Sequence, residues 1–195
     1  MKKVSEYLEE GLEIKIDEYT AGIINAEASF VDFNLKQIAL HEGTKSTSLY
    51  FIIRGIVRGY YIDENGNDIT KCFSCENEFF SSEGLRTGGA SSFTIECLEN
   101  CDCIKLPYKL INKIMRKDEN LNNLFIKYYL QEVGRLENRS KNLALLKAEE
   151  RYIDFCIQYP HIHERVELKY IASYIGIRAA SLSRIRKGFK NTSLD

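Results

Sequence analysis

Residues 168–188 read LKYIASYIGIRAASLSRIRKG, and a glycine separates two short amphipathic stretches within them. The apolar residues of the first stretch follow the spacing i, i+3, i+4, i+7, and they are Leu168, Ile171, Ala172 and Ile175. This spacing predicts a helix with one buried face. Gly176 follows at once, where helix ends favour a left-handed residue. The segment therefore predicts two helices joined by a tight turn.

The second helix is predicted from about Ala179 to Gly188, with two chemically different sides. The residues expected to face inward are Leu182, Ile185 and Phe189. The candidate DNA-contacting residues are Arg178, Ala180, Ser181, Ser183, Arg184, Arg186 and Lys187. Small residues allow close approach to a major groove, arginine bonds guanine through two donors, and serine bonds bases or phosphates. Arg186 lies nearer the buried side, which suits a phosphate contact. An ordinary helical hairpin is the alternative.

The charge distribution favours a nucleic-acid partner, although the net charge is −1. Residues 168–194 contain six basic residues and no acidic one, so the rest of the chain is distinctly acidic. An acidic body with a basic end is typical of a small DNA-reading module. A solvated surface helix is the alternative.

Residues 36–106 predict an antiparallel barrel or roll, whereas the first forty residues suggest helix and loop. Aromatic and β-branched residues around Leu49 to Ile53 indicate a strand, and residues 69–73 indicate its return partner. Glu64-Asn65-Gly66-Asn67 is a strong hairpin signal, because Asn and Gly accept positive φ. Two more short strands are predicted over residues 94–98 and 101–106. Several short strands at close spacing favour a roll.

Residues 121–146 predict a single helix about 39 Å long. Its apolar stripe comprises Leu121, Leu124, Phe125, Tyr128, Tyr129, Val133, Leu136, Ser140 and Leu143. Within the stripe, Tyr129, Leu136 and Leu143 repeat every seven residues. Such a helix pairs with a second copy, bridges two domains, or does both. A plain core helix is the alternative.

The segments 170–177 and 181–187 resemble the helix-turn-helix of Crp/Fnr-type regulators, especially a short-tailed branch. Residues 49–61, with the Asn65-Gly66 hairpin, are similar to the cyclic-nucleotide-binding β-roll of that family. Residues 148–152 and Tyr159-Pro160 match the region just before its DNA-binding helices. The order and spacing of these parts agree over nearly the whole chain.

This resemblance implies an α+β fold in three parts. They are an N-terminal antiparallel β-roll sensor domain over residues 1–117, a dimerisation helix over residues 118–146 and a helix-turn-helix domain over residues 147–195. The implied protein is a homodimeric transcription regulator, not an enzyme. It is expected to read palindromic double-stranded DNA and to respond to an unknown small-molecule effector. The resemblance also allows a contact with RNA polymerase. Arg184 matches the family's base-contacting arginine, whereas Arg178, Ala179 and Ala180 replace its usual polar residues.

Family members that bind cyclic AMP use an arginine to neutralise the cyclic phosphate and a glutamate to bind the ribose. The corresponding residues here form the candidate effector pocket, which comprises Ser82, Glu83, Ser91 and Ser92. No arginine stands where the phosphate requires one, and Arg86, in a Gly-rich turn, is expected to lie too far away. Burying a phosphate without a cation is costly. We therefore expect an effector other than cyclic AMP.

The cysteines of the strand-rich region leave two interpretations open. They are Cys72, Cys75, Cys97, Cys101 and Cys103. Paired thiols at such spacings can bind metal or sense redox state, but cysteine is also a good small core residue. Cys72 and Cys75 have opposite parity, so an extended strand would point them to opposite faces. Neither a metal site nor a cofactor is predicted.

Two other functions are weighed against a regulator. A cupin-like metal enzyme needs several converging histidines, and only His41 lies near the predicted roll, because His161 and His163 follow Pro160. A ligand-binding protein whose helical end does not touch DNA is the other alternative. Residues 1–11 lack a signal-peptide core, and no apolar run approaches about eighteen residues. A cytoplasmic protein with no membrane partner is expected.

Overall fold

The computed structural model describes residues 2–192, so the expectations for residues 193–195 lie outside the described part. The chain forms two compact units. The first contains the chain up to Tyr61 together with Cys72–Ile126. The second contains Ile62–Lys71 and the chain from Lys127 onward.

The elements follow in chain order. The strands are β1 (Ser29–Phe33), β2 (Ile38–Leu40), β3 (Ser48–Arg54), β4 (Val57–Ile62), β5 (Asp68–Ser74), β6 (Phe79–Phe80), β7 (Thr94–Cys97) and β8 (Cys101–Pro107). The helices are α1 (Val4–Leu12), α2 (Glu18–Glu27), α3 (Gly84–Thr87), α4 (Tyr108–Met115), α5 (Glu119–Leu145), α6 (Ala148–Gln158), α7 (Leu168–Tyr174) and α8 (Ala179–Thr192).

The strands form two four-stranded sheets in the orders β1-β8-β3-β6 and β2-β7-β4-β5. The pairs β1–β8, β3–β8, β3–β6, β2–β7 and β4–β7 are antiparallel. One apolar cluster joins both sheets, and it comprises Phe33, Ile52, Val57, Phe80, Phe93, Ile95, Cys97, Cys101 and Cys103. The predicted α+β class with an antiparallel β-roll is confirmed.

The β4–β5 hairpin forms at the predicted Asn-Gly turn. Gly66 has φ of +80°, the left-handed conformation that glycine adopts at no steric cost. The Asp63 Oδ1 atom accepts hydrogen bonds from the backbone N–H groups of Asn65 and Asn67 at 2.9 and 2.8 Å. These bonds join residues no more than four positions apart, so the turn is stabilised by its own residues.

The N-terminal segment contains more regular structure than the sequence predicted. The expected helices are present as α1 and α2, and Asp17 caps α2 by accepting hydrogen bonds from the N–H groups of Tyr19 and Thr20. The interpretation of residues 28–34 as helix or loop was wrong, because β1 pairs with β8 over its whole length, from Ser29 to Phe33. That pairing joins residues about seventy positions apart, which local sequence patterns cannot encode.

The long helix is confirmed as α5, which has 27 residues. It begins in the first unit and continues in the second. At its C-terminal end, the Arg151 guanidinium donates hydrogen bonds to the carbonyl oxygens of Leu143 and Leu146 at 3.4 and 3.0 Å. These bonds satisfy carbonyls that a helix end leaves without intrahelical partners. Among the described residues, no helix combines the length and apolarity needed to cross a bilayer.

Candidate nucleic-acid interface

The turn between α7 and α8 has the geometry that the sequence predicted. Gly176 adopts φ of +72°, and the Ile177 N–H donates to the Ala172 carbonyl at 2.9 Å. This bond spans the left-handed residue and closes the C-terminal end of α7. Helix α8 then starts with the Arg178 carbonyl, which accepts hydrogen bonds from the N–H groups of Ser181 and Leu182.

The buried side of the helix pair only partly matches the prediction. Leu182 is 0% exposed and Ile185 is half-buried. The expectation that Phe189 faces inward was wrong, because this side chain is 39% exposed, although its ring contacts the Tyr152 ring at a centroid distance of 6.1 Å. Helix α8 also continues to Thr192 rather than ending near Gly188. The side chains of residues 190–192, including the basic Lys190, lie outside the described part.

The outer side of α8 offers cations and small residues to solvent. Arg178, Ala180, Arg184 and Lys187 are exposed, whereas the other three candidate DNA-contacting residues, Ser181, Ser183 and Arg186, are half-buried. No acidic residue occurs between Leu168 and Leu194. A duplex approaching this side would therefore meet positive charge without a competing carboxylate from the same two helices.

Arg186 has a partner within the protein. Its guanidinium hydrogen-bonds to the Tyr152 hydroxyl, which also interacts with Cys156. Burial is the main reason that the pKa of Tyr152 rises to about 12. The neutral phenol therefore links α6 to the half-buried side of α8.

A second set of contacts holds the C-terminal end of α7. The Ser173 hydroxyl accepts a hydrogen bond from the Thr70 N–H at 2.9 Å and donates one to the Asp68 carbonyl at 3.2 Å. The Arg139 guanidinium donates from Nη2 to the Thr70 carbonyl and from Nε to the Tyr174 carbonyl, both at 3.0 Å. Its Cζ atom also lies 4.7 Å from the centre of the Tyr174 ring. We call Asp68, Thr70, Arg139, Ser173 and Tyr174 the clasp.

Helix α5 carries an apolar stripe whose side chains remain partly exposed to solvent. Tyr129, Leu136 and Leu143 are about two-fifths exposed. Val133 and Ser140 complete a spacing of four, three, four and three residues. This is the a/d spacing of a two-stranded coiled coil.

The four candidate effector residues lie on one loop around α3. The Glu83 carboxylate accepts a hydrogen bond from the Ser92 N–H at 2.8 Å, and the buried Ser91 hydroxyl donates to the Phe93 carbonyl at 2.6 Å. Ser82 is also buried. Arg86 is the one basic residue between Phe79 and Phe93, and its side chain lies outside the described part.

The roll also contains a buried ion pair that the sequence did not predict. Arg58 on β4 is 1% exposed, and it donates to the Glu96 carboxylate on β7 from Nε at 3.0 Å and from Nη2 at 2.7 Å. The two residues are direct partners in the β4–β7 register. A charged residue next to Gly59 on a short strand gives no local signal that its side chain will be buried.

The cysteines and histidines occupy mixed environments. Cys97, Cys101 and Cys103 are buried in the roll, whereas Cys72 and Cys75 are half-buried. A hydrogen bond to Cys101, together with burial, raises the pKa of Cys97, and burial raises that of Cys103. His41 and His161 are exposed, and His163 is half-buried. Within residues 2–192, no three His, Cys, Asp or Glu side chains form a group suited to a metal ion.

Known proteins are similar to this chain over most of its length. Residues 30–118 match the cyclic nucleotide-binding domain. The chain is 22% identical over 173 residues to the "cAMP-activated global transcriptional regulator CRP" of Pasteurella multocida, covering 82% of this chain and 81% of that protein. The predicted resemblance to Crp/Fnr regulators is confirmed.

Solved structures of Crp/Fnr regulators share the fold at low sequence identity. FixK2 from Bradyrhizobium japonicum superposes with a TM-score of 0.77 at 16% identity, covering 85% of this chain and 86% of FixK2. A Crp/Fnr-family regulator from Eubacterium rectale gives a TM-score of 0.68 at 14% identity, covering 91% of this chain and 85% of that one. The matched residues 30–118 contain nearly all of β1, the strands β2–β8, and the helices α3 and α4.

Sequence reasoning located α8 and its exposed cations but missed the clasp. Arg139 and Ser173 bond to residues 35 to 105 positions away, so no local pattern identifies them. The one available signal is Arg139 itself, a cation next to the apolar stripe of α5.

Proposed function

We propose that this protein is a transcription regulator that binds palindromic double-stranded DNA as a homodimer, in response to a small-molecule effector other than cyclic AMP. The observation that carries the proposal is the outer side of α8. There Arg184 and Lys187 are exposed, while Leu182 fixes the opposite side of the same helix in the core. A helix held in this way can enter a major groove with its arginine directed at base edges.

Roles within the interface follow from exposure. Arg184 is the candidate base-reading residue, because an exposed guanidinium can bond a guanine edge through two donors. Ala180 and Ser181 allow close approach, and Ser183 bonds bases or phosphates. Arg178, Arg186 and Lys187 are assigned to phosphates, which set affinity and orientation but carry no sequence information directly. Arg186 is half-buried and interacts with Tyr152, so it is less suited to reading base edges than the exposed Arg184.

Homodimer formation is proposed through the stripe of α5. Its a/d spacing and partial exposure supply a seam for a second copy of the same helix. Two copies of α8 would then read half-sites about 34 Å apart on one side of the duplex. The domain division into residues 1–117, 118–146 and 147–195 belongs to this proposal.

The test begins with selection of preferred duplexes from a random-sequence pool by the wild-type protein. Binding of the recovered duplex is then measured by fluorescence anisotropy as a function of salt, and affinity should fall steeply as phosphate counterions are released. Arg184→Ala should lower affinity for the recovered duplex about tenfold or more and reduce its preference over random DNA. Lys187→Ala should weaken binding to both DNAs alike.

Lys169 provides a matched control cation. It is exposed on α7 and paired with Glu167 at 2.9 Å, outside the proposed interface. Lys169→Ala should therefore change neither affinity by more than about twofold. Equal losses for Arg184→Ala and Lys187→Ala on every duplex would refute base reading by Arg184.

The effector proposal is tested by calorimetry. Arg86 is the only basic residue of the candidate loop, and the Glu83 carboxylate is already bonded to the Ser92 N–H. We therefore expect no heat of binding with cyclic AMP at micromolar concentrations. The Pasteurella multocida regulator, whose name describes it as cAMP-activated, is the positive control. Saturable cyclic AMP binding by this protein would refute the proposal.

The other functions receive less support. Similarity to Crp/Fnr regulators does not favour a cupin-like metal enzyme or a ligand-binding protein that ignores DNA. A contact with RNA polymerase stays a prediction, and it would be tested by transcription in vitro from a promoter that carries the recovered duplex.

A further inference from the structure

The clasp connects three elements of the second unit at two residues. Ser173 lies near the C-terminal end of α7 and makes two backbone hydrogen bonds to β5. Arg139 lies on α5 between the stripe residues Leu136 and Leu143, and it bonds both to β5 and to the last residue of α7. The contact is therefore shared by the long helix, the hairpin and the first helix of the reading pair.

The chemistry of the clasp makes it directional and stiff. Each of its hydrogen bonds joins a side chain to a backbone N–H or carbonyl, and a backbone group cannot rotate away as a side chain does. Thr70, whose N–H and carbonyl are both engaged, is 0% exposed. The planar guanidinium of Arg139 holds two carbonyls at a fixed separation, which a lysine ammonium would not do. If a substitution removes a side-chain donor from the clasp, a buried backbone carbonyl loses its hydrogen-bond partner.

The contacts of the clasp leave the outer side of α8 exposed to solvent. Arg178, Ala180, Arg184 and Lys187 remain exposed while the clasp is made. The clasp therefore does not cover the reading side of α8. It restrains how that side is oriented relative to the stripe, because Arg139 belongs to the same helix as the stripe.

We propose that Arg139 and Ser173 are positioning residues that orient the α7–α8 pair for sequence-specific DNA binding. This inference rests on the proposed function. In a symmetric dimer both reading helices must match half-sites at a fixed spacing, so an orientation error in one protomer is repeated in the other. Non-specific binding depends on phosphate contacts that each module makes by itself, and it tolerates such errors.

Ser173→Ala and Arg139→Met are the test variants, and Lys141→Ala, an exposed cation on the same helix, is the control. Either test variant should lower affinity for the recovered duplex about five- to tenfold, the scale of one buried hydrogen bond. Affinity for random DNA and the dimer dissociation constant should each change by less than about twofold. Ser173→Thr, which keeps the hydroxyl, should restore specific affinity. Equal loss on recovered and random DNA would overturn the proposal.

Hydrogen exchange separates failure of this inference from failure of the proposed function. Exchange of the Thr70 amide should be about five- to tenfold faster in Ser173→Ala than in wild type, whether or not DNA binds. If wild-type protein recovers no preferred duplex, the proposed function fails. If exchange of the Thr70 amide is unchanged in Ser173→Ala, the proposed role of the clasp is refuted, whether or not the proposed function holds.

Discussion

Replacing Leu136 with alanine should weaken the dimer while leaving the fold of each chain intact. Leu136 is 42% exposed in the single chain. Burying a whole leucine side chain is worth about 1.5–3 kcal/mol, so covering this exposed part contributes about 1 kcal/mol. The substitution occurs in both protomers, which makes about 2 kcal/mol per dimer. The dimer dissociation constant should therefore rise about thirtyfold.

The assay is sedimentation velocity over a series of protein concentrations, with far-ultraviolet circular dichroism as the check on folding. Leu145→Ala is the matched control. Leu145 is 71% exposed on the same helix but lies two residues beyond Leu143, outside the a/d spacing. Its replacement should shift the dissociation constant by less than about twofold.

Two results would refute this reasoning. One is an equal rise of the dimer dissociation constant in Leu136→Ala and Leu145→Ala, because a leucine outside the stripe would then contribute as much to the dimer as one within it. The other is a dissociation constant that stays within about twofold of wild type in Leu136→Ala.

Three further predictions concern stability. Gly176→Ala should lower the free energy of unfolding by about 1–2 kcal/mol in urea titrations, because φ of +72° is strained for alanine; an unchanged midpoint would contradict this. Glu96→Ala should lower the free energy of unfolding by about 3 kcal/mol, because Arg58, 1% exposed, loses two hydrogen bonds. Asp102→Ala should lower it by less than about 1 kcal/mol, because the ion pair of Asp102 with Arg54 is exposed to solvent. The folded-state pKa of Tyr152, about 12, exceeds its ordinary value of 10.0. The free energy with which its neutral phenol stabilises the folded state is therefore fully present below pH 10 and is lost as pH rises towards 12. Between about pH 9 and pH 11, wild type should thus lose about 1 kcal/mol more stability than Tyr152→Phe, and parallel losses would disprove the shift.

Local signals in the sequence predicted the elements that close within a few residues. The Asn65-Gly66 turn, the left-handed Gly176 and the heptad spacing of α5 all depend on backbone preference or helical periodicity, which neighbouring residues determine. The same local rules placed Leu182 in the core and Arg184 in solvent. These rules predicted wrongly that Phe189 faces inward. Its exposure depends on how much of α6 lies beside that turn of α8, which the helical periodicity of α8 does not indicate.

Residues that are close together along the chain specify a roll, a long helix and a basic helix-turn-helix, so these elements could be predicted from the sequence. Three other features depend on tertiary packing: β1 pairs with β8, Arg58 is buried against Glu96, and Ser173 and Arg139 hydrogen-bond to β5. Each of those contacts joins residues 38 to 105 positions apart. Their formation depends on packing of the whole unit, a free energy that no short stretch of sequence contains.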